Sequence, residues 1–313
     1  MGDGRIRRGF GVLVSGSEPA PRLSAAVLAG LRVLVGLLWL YNVVWKAQPD
    51  FGRDNGGGLY GFTRAAVEHP VFPPFGWLVE HVVLPNYLVF AWLTLIVETV
   101  LAVLLTTGTL VRLAALLGIA QGVAIGMSIA EAPNEWPWAY FMLIGIHVVL
   151  LCTWCNRYFA VDALWVPPAG AGRRRVAVSL LRVWGIVLLM VGVLALVVSV
   201  RGEVGADLGG LVGYQDLEVT VGTYNVLAAI VVLVVAAGVF GAAILGRREL
   251  AFAAAGIAIL AAATLYLQLG RGDVWLGGTN TTAAVFLCAA VVGVAAGAGL
   301  GQSGPGADGG ARY

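Results

Sequence analysis

Long apolar runs separated by short polar, glycine- and proline-bearing breaks set the rhythm of this chain. Eight runs stand out: Ser24–Lys46, Pro85–Thr107, Leu110–Ile129, Trp136–Cys155, Val176–Val200, Tyr224–Leu245, Leu250–Leu269 and Thr282–Leu300. Each is close to the roughly 20 residues that a helix needs to cross a bilayer's hydrocarbon core, where backbone groups must pair within their own segment. The expected fold class is therefore all-α, a polytopic integral membrane helical bundle of about eight transmembrane helices in two four-helix halves.

The breaks divide the chain. Residues 1–22 and 302–313 are expected to be tails. Residues 23–166 form a first bundle with an external cap loop over 48–84, 167–175 a linker marked by Pro167-Pro168 and three arginines, and 176–301 a second bundle. In each half the longest external loop follows the first helix, at Gln48–Leu84 and Arg201–Thr223, and Leu31-Arg32-Val33 recurs as Leu181-Arg182-Val183. A degenerate parallel repeat and a chance likeness are both open readings. The second half has no intramembrane acid or histidine, and its small residues suit close helix packing.

Composition agrees with the pattern: 59% of residues are hydrophobic and 12% charged, about half the charge of a soluble domain. Of 19 lysines and arginines, 13 fall on the side of the termini, 5 on the other side, and Arg32 lies within a span. That excess predicts a multi-pass protein of the cell membrane with both termini cytoplasmic. The acids show the opposite bias, so the net charge of +2 reflects a membrane address and gives no support to nucleic-acid binding.

The cap segment is too apolar for a free loop and too interrupted for a span. It is expected to lie on the outer surface as one or two short amphipathic helices broken at Pro70, Pro73 and Pro74. His69, Trp77 and His81 within it, with Lys46, Tyr87, Trp136, Trp138 and Tyr140, would line the outer interface, as a roof over a site or as an ordinary aromatic belt.

Glu98 is the residue that most needs an explanation. A charge near the bilayer centre costs at least about 3 kcal/mol on insertion scales, so a partner or a use is expected. Counted from the cytoplasmic ends at 1.5 Å per residue, Arg32, Glu98, Gln121 and His147 lie at depths of about 12, 13, 16 and 12 Å. These four groups are expected to meet inside the first bundle, with Arg32 as counter-ion of Glu98. The cluster reads either as a static pin or as a proton relay with His147 beside a carboxylate. Lys46, next to Trp45, suits the headgroup layer.

Cys152 and Cys155 have the spacing that places both thiols on one helical face, and buried apolar cysteines are the expectation over a redox pair, since the motif closes a helix rather than opening one. No metal site is expected from His69, His81 and His147, which are too dispersed. Neither a phosphate-binding loop, a dinucleotide fingerprint nor a nucleophile elbow is present.

Several ordered pieces of residues 28–165 resemble one family. They are Leu31-Arg32-Val33 with Gly36-Leu37-Leu38, Trp45-Lys46, the loop ending Val82-Val83-Leu84-Pro85-Asn86, and Val97-Glu98. The turn Thr107–Ala115, Trp136-Pro137-Trp138-Ala139-Tyr140 and Asn156–Leu164 follow. Together they resemble the DoxX-like group, which includes the small DoxD subunit of thiosulfate:quinone oxidoreductase. The resemblance implies a four-helix membrane fold linked to quinone-dependent redox reactions, with Arg32, Lys46, Glu98 and Arg112 on recurrent polar positions.

It implies for this chain an integral membrane subunit of a quinone-linked oxidoreductase, with electrons supplied by a redox partner subunit. In that scheme Glu98, Arg32 and His147 are the catalytic candidates, and quinone would lie between bundle and cap against Lys46, Trp77, His81, Trp138, Tyr140 and Gln121. A small-molecule transporter and a non-catalytic anchor or assembly subunit are the rival expectations.

Overall fold

A computed structural model describes residues 21–168, 170–200, 221–272 and 274–301. The expected tails, at 1–20 and 302–313, and residues 201–220 of the expected second external loop lie outside the described residues. Among the described residues there are helices and turns but no strands.

In chain order the helices are α1 (Arg22–Val44), α2 (Gly58–Glu68), α3 (Pro73–Leu78), α4 (Tyr87–Thr107), α5 (Val111–Ile129), α6 (Trp138–Cys152), α7 (Arg173–Val200), α8 (Val226–Leu245), α9 (Arg248–Gln268) and α10 (Asn280–Leu300). A π turn at Val79–Val83 extends α3, and a 3-10 turn covers Val161–Leu164. Seven of these helices are long and apolar enough to cross a membrane, and α6, at 15 residues, is shorter. The chain is a multi-pass helical membrane bundle.

Local chemistry places the ends. Pro73 and Pro74 occupy the first turn of α3, where a missing N–H costs nothing. Asn225 caps α8 by accepting from the Ala228 N–H at 2.9 Å, and Thr279 and Thr282 form a reciprocal capping box at the start of α10. Gly108, at φ 68°, closes α4 in the left-handed conformation that glycine adopts without steric cost. The cap segment forms two short helices, α2 and α3, separated at Pro70, while Pro73 and Pro74 open α3 rather than break a helix.

Each half pairs its first helix with its second and its third with its fourth: α1 with α4, α5 with α6, α7 with α8, α9 with α10. The halves are not independent, however. In α10, 72% of the central apolar window is buried, against 28 to 50% in the other spanning helices, so α10 is the hub. Its first turn grips the end of α1: Thr281 Oγ1 donates to the Leu40 carbonyl at 3.0 Å, and Asn280 Nδ2 donates to the Val43 and Lys46 carbonyls at 3.2 and 2.8 Å.

One hydrophobic core runs from Val35, Trp39 and Leu101 through Leu181 and Ala228 to Phe286 and Ala289. The expected division into two bundles at 167–175 therefore has no counterpart in the packing. Small residues explain why: a Cβ at Gly299 would lie 3.0 Å from Ala177 and 3.4 Å from Leu164, so three elements meet there at van der Waals distance.

The cysteine pair also differs from expectation. α6 ends at Cys152 and Thr153 is extended, so Cys152 is exposed while Cys155 is buried, and the thiols do not share a helical face.

Candidate functional site

Arg32, Trp39 and Lys46 are spaced seven residues apart; within α1 that repeat returns Trp39 to nearly the face of Arg32 about 10.5 Å further along, and Lys46 follows two residues past the end of the helix. All three side chains are fully buried, and each meets a different set of polar partners. The result is a stripe of three levels through the first half.

At the level nearest the C-terminal end of α1, Lys46 Nζ lies 2.5 Å from Glu98 Oε2, and both residues are at most 2% exposed. Gln121 Nε2 donates to Glu98 Oε1 at 3.1 Å, and Lys46 Nζ also donates to the Asn42 carbonyl at 2.7 Å. The ammonium lies 3.7 Å from the centroid of the Trp45 ring, a cation–π distance. Lys46 thus folds back along the end of α1 instead of reaching for the headgroups. A buried pair of opposite charges with further hydrogen bonds is the arrangement in which a low-dielectric interior tolerates ions.

An aromatic and aliphatic cluster lies beyond this pair. Leu95, Ala91 and Tyr87 precede Glu98 along α4, toward its N-terminus, and pack with Val43, Phe51 and Leu59. Tyr87 Oη donates to the Phe51 carbonyl at 2.8 Å, and Tyr60 stands edge-on to Tyr87.

At the middle level, Trp39 Nε1 donates to His147 Nε2 at 3.1 Å, while His147 Nδ1 lies 2.7 Å from the Leu143 carbonyl. Indole N–H is only a donor and a carbonyl only an acceptor, so both bonds are satisfied by the neutral imidazole with its proton on Nδ1. The ring lies against the backbone of Gly118, where a Cβ would come within 2.2 Å of Nε2. Glycine at 118 is what lets α5 and α6 enclose the histidine.

At the level nearest the N-terminal end of α1, the Arg32 guanidinium donates to carbonyls. Nη1 reaches Leu105 at 2.7 Å, and Nη2 reaches Tyr158 and Phe159 at 3.2 and 3.0 Å. Asp162 completes this node. It accepts from the Leu110 and Val111 N–H groups at 2.7 and 3.1 Å and from Asn156 Nδ2 at 2.8 Å. Leu110 has φ 46°, a conformation that costs an ordinary residue about 1–2 kcal/mol, and the Asp162 bonds hold it there.

Two corrections follow for the sequence reading. The counter-ion of Glu98 is Lys46, not Arg32. The four groups expected to meet also divide: Glu98 and Gln121 are together, His147 pairs with Trp39, and Arg32 binds the end of α4 seven residues beyond Glu98. Depth along the helix axes treats each residue as its Cα, whereas these long side chains lean toward opposite ends of the bundle.

The residues expected at the outer interface do not gather into one site either. Trp77 is 60% exposed and stacks on His81, and Trp138 is 64% exposed. Tyr140 Oη donates to Glu135. Arg112 lies over the Trp154 ring at 5.0 Å. No group of three or more potential metal-binding His, Cys, Asp or Glu side chains occurs among the described residues.

Sequence reasoning passed over Trp39, Asn156 and Asp162 as partners. The seven-residue spacing of Arg32, Trp39 and Lys46 was the signal that would have found the stripe.

No family model, no curated protein and no solved structure matches this chain.

Proposed function

We propose that the protein is a proton-handling membrane subunit in which the Lys46–Glu98 pair exchanges the proton, and that it serves a quinone-linked oxidoreductase whose electrons come from a partner protein. The observation that carries the reading is the buried pair itself. At 2.5 Å the ammonium and the carboxylate are close enough to share a proton, the pair being neutral overall in either form, and Gln121 binds the other carboxylate oxygen. His147 has no part in the exchange, because protonating Nε2 would set two N–H donors against each other.

The redox context rests on the resemblance of residues 28–165 to the DoxX-like group. The six residues expected to hold quinone do not fit one binding site: Lys46 is buried with Glu98, while Trp77 and Trp138 face outward. No step is therefore routed through quinone, and what this chain contributes is the buried Lys46–Glu98 pair.

A second reading, a proton-coupled small-molecule carrier, is favoured by the enclosure of the pair between the Phe51–Tyr87–Leu95 cluster and the Trp39–His147 contact, as in an occluded state.

The test is purification in mild detergent from the native host, with mass spectrometry of bound quinone and co-purifying proteins, followed by turnover of the purified assembly for wild type and Glu98→Gln. The account expects a redox partner, with turnover lost in a folded Glu98→Gln protein. Full activity of that variant would refute the proton role. A lone, quinone-free protein would remove the oxidoreductase context and leave the carrier.

A further inference from the structure

The polar stripe makes no use of a groove between the first turns of α7 and the last turn of α8, at the end of the bundle that carries the arginine excess. The groove has a volume of about 470 Å³ and is open to the surroundings. Arg174, Arg175 and Arg182 line one wall, with Arg175 and Arg182 seven residues apart on one helical face. Ile244 and Leu245 line the other wall and are 61% and 63% exposed.

The three arginines enter no ion pair among the described residues. The described carboxylates at this end are engaged elsewhere: Glu249 lies 3.4 Å from Arg248, and Asp162 is buried against the start of α5. One cation near the last turn of α8 would complement the negative end of its dipole, but three exceed that need. Gly246, without a side chain, leaves the end of α8 open to Arg174, whose Nη2 would lie 3.0 Å from a Cβ there.

Guanidinium forks match phosphate oxygens in shape and charge, and an exposed aliphatic wall beside them matches an acyl chain. We propose that this groove binds an anionic phospholipid, its phosphate on Arg174, Arg175 and Arg182 and a chain along Ile244 and Leu245. A soluble phosphate would satisfy the arginines alone, and the apolar wall is what selects the lipid. Basic pockets between membrane helices on the cytoplasmic side are suited to such headgroups, and this inference does not depend on the redox reading above.

The experiment uses the full chain in detergent, titrated with short-chain phosphatidylglycerol, short-chain phosphatidylcholine and inorganic phosphate, and read by native mass spectrometry. Wild type is expected to retain phosphatidylglycerol selectively. Arg182→Gln should weaken that binding roughly fivefold, and the triple Arg174→Gln, Arg175→Gln, Arg182→Gln variant by at least roughly tenfold, with unchanged thermal unfolding. Arg53→Gln, Arg64→Gln, Arg271→Gln, which removes the same charge from exposed side chains outside the groove, should retain binding. Equal losses in the two triple variants, equal binding of phosphatidylcholine, or displacement of the lipid by inorganic phosphate at equal concentration would each overturn the proposal.

Discussion

The two halves of this bundle use the same helix pairing for different ends. The first carries buried charge and hydrogen-bonding side chains at three levels, and its α5–α6 hairpin is lightly enclosed, with His147 and Leu150 the buried residues of α6. The second is built of alanine, valine and glycine. Its glycines bring helices into contact: a Cβ at Gly185 would lie 2.8 Å from Phe240, and one at Gly238 would lie 2.9 Å from Ala254. In a bilayer, where lipid tails are as apolar as leucine, tight helix association comes from such close packing and from interhelical hydrogen bonds. The second half specialises in packing and the first in polar contacts, and α10 joins them by doing both.

If that contrast is right, removing a charge from the first half should cost more than crowding the second. Lys46→Leu or Glu98→Leu alone leaves one buried ion without its partner and should destabilise by about 3–5 kcal/mol, measured by unfolding in detergent. A loss under about 1 kcal/mol would mean that the remaining charge reaches solvent or is neutralised by gain or loss of a proton.

Crowding the hub comes next. A Cβ at Gly293 would lie 2.9 Å from the Ala251 carbonyl and 3.0 Å from Ala255, so Gly293→Val should push α9 from α10 and cost about 1–3 kcal/mol. Because α10 also grips α1, the fragment ending at Arg173 should fail to accumulate in membranes although it contains the whole polar stripe. A stable fragment would show that the shared core is dispensable.

Asp162→Ala removes the acceptor for two N–H groups at the start of α5 and should cost about 1–2 kcal/mol, while Asp162→Asn, which keeps one acceptor oxygen, should cost less. At the small end, Trp77→Ala changes an exposed side chain and should stay within about 0.5 kcal/mol of wild type. A larger effect at Trp77 would return the cap to the candidate site.

The spans and the broken cap were legible because they depend on local properties: hydropathy over about 20 residues, prolines that end helices, and caps such as Thr279. The partners were not legible, for reasons that particular residues make plain. Lys46 stands just past the end of α1, where a lysine ordinarily reaches outward, yet its chain folds back because Glu98 and the Asn42 carbonyl lie below it. Arg32 takes the opposite direction because the last turn of α4 presents the Leu105 and Thr106 carbonyls, to which its guanidinium donates. The linker at 167–175 looked like a domain boundary because composition records prolines and charges, whereas Leu164 and Ala177 meet Gly299 across it.

The most direct test of the central claim is a pair of double-mutant cycles read by unfolding in detergent, one on Lys46 and Glu98, the other on Arg32 and Glu98, with leucine at each position. The account predicts that the Lys46–Glu98 double variant recovers much of the single losses, with a coupling of about 2–3 kcal/mol, while the Arg32–Glu98 losses add within about 0.5 kcal/mol. Coupling in the Arg32 cycle together with additivity in the Lys46 cycle would contradict it, and would make Arg32 the counter-ion of Glu98 after all.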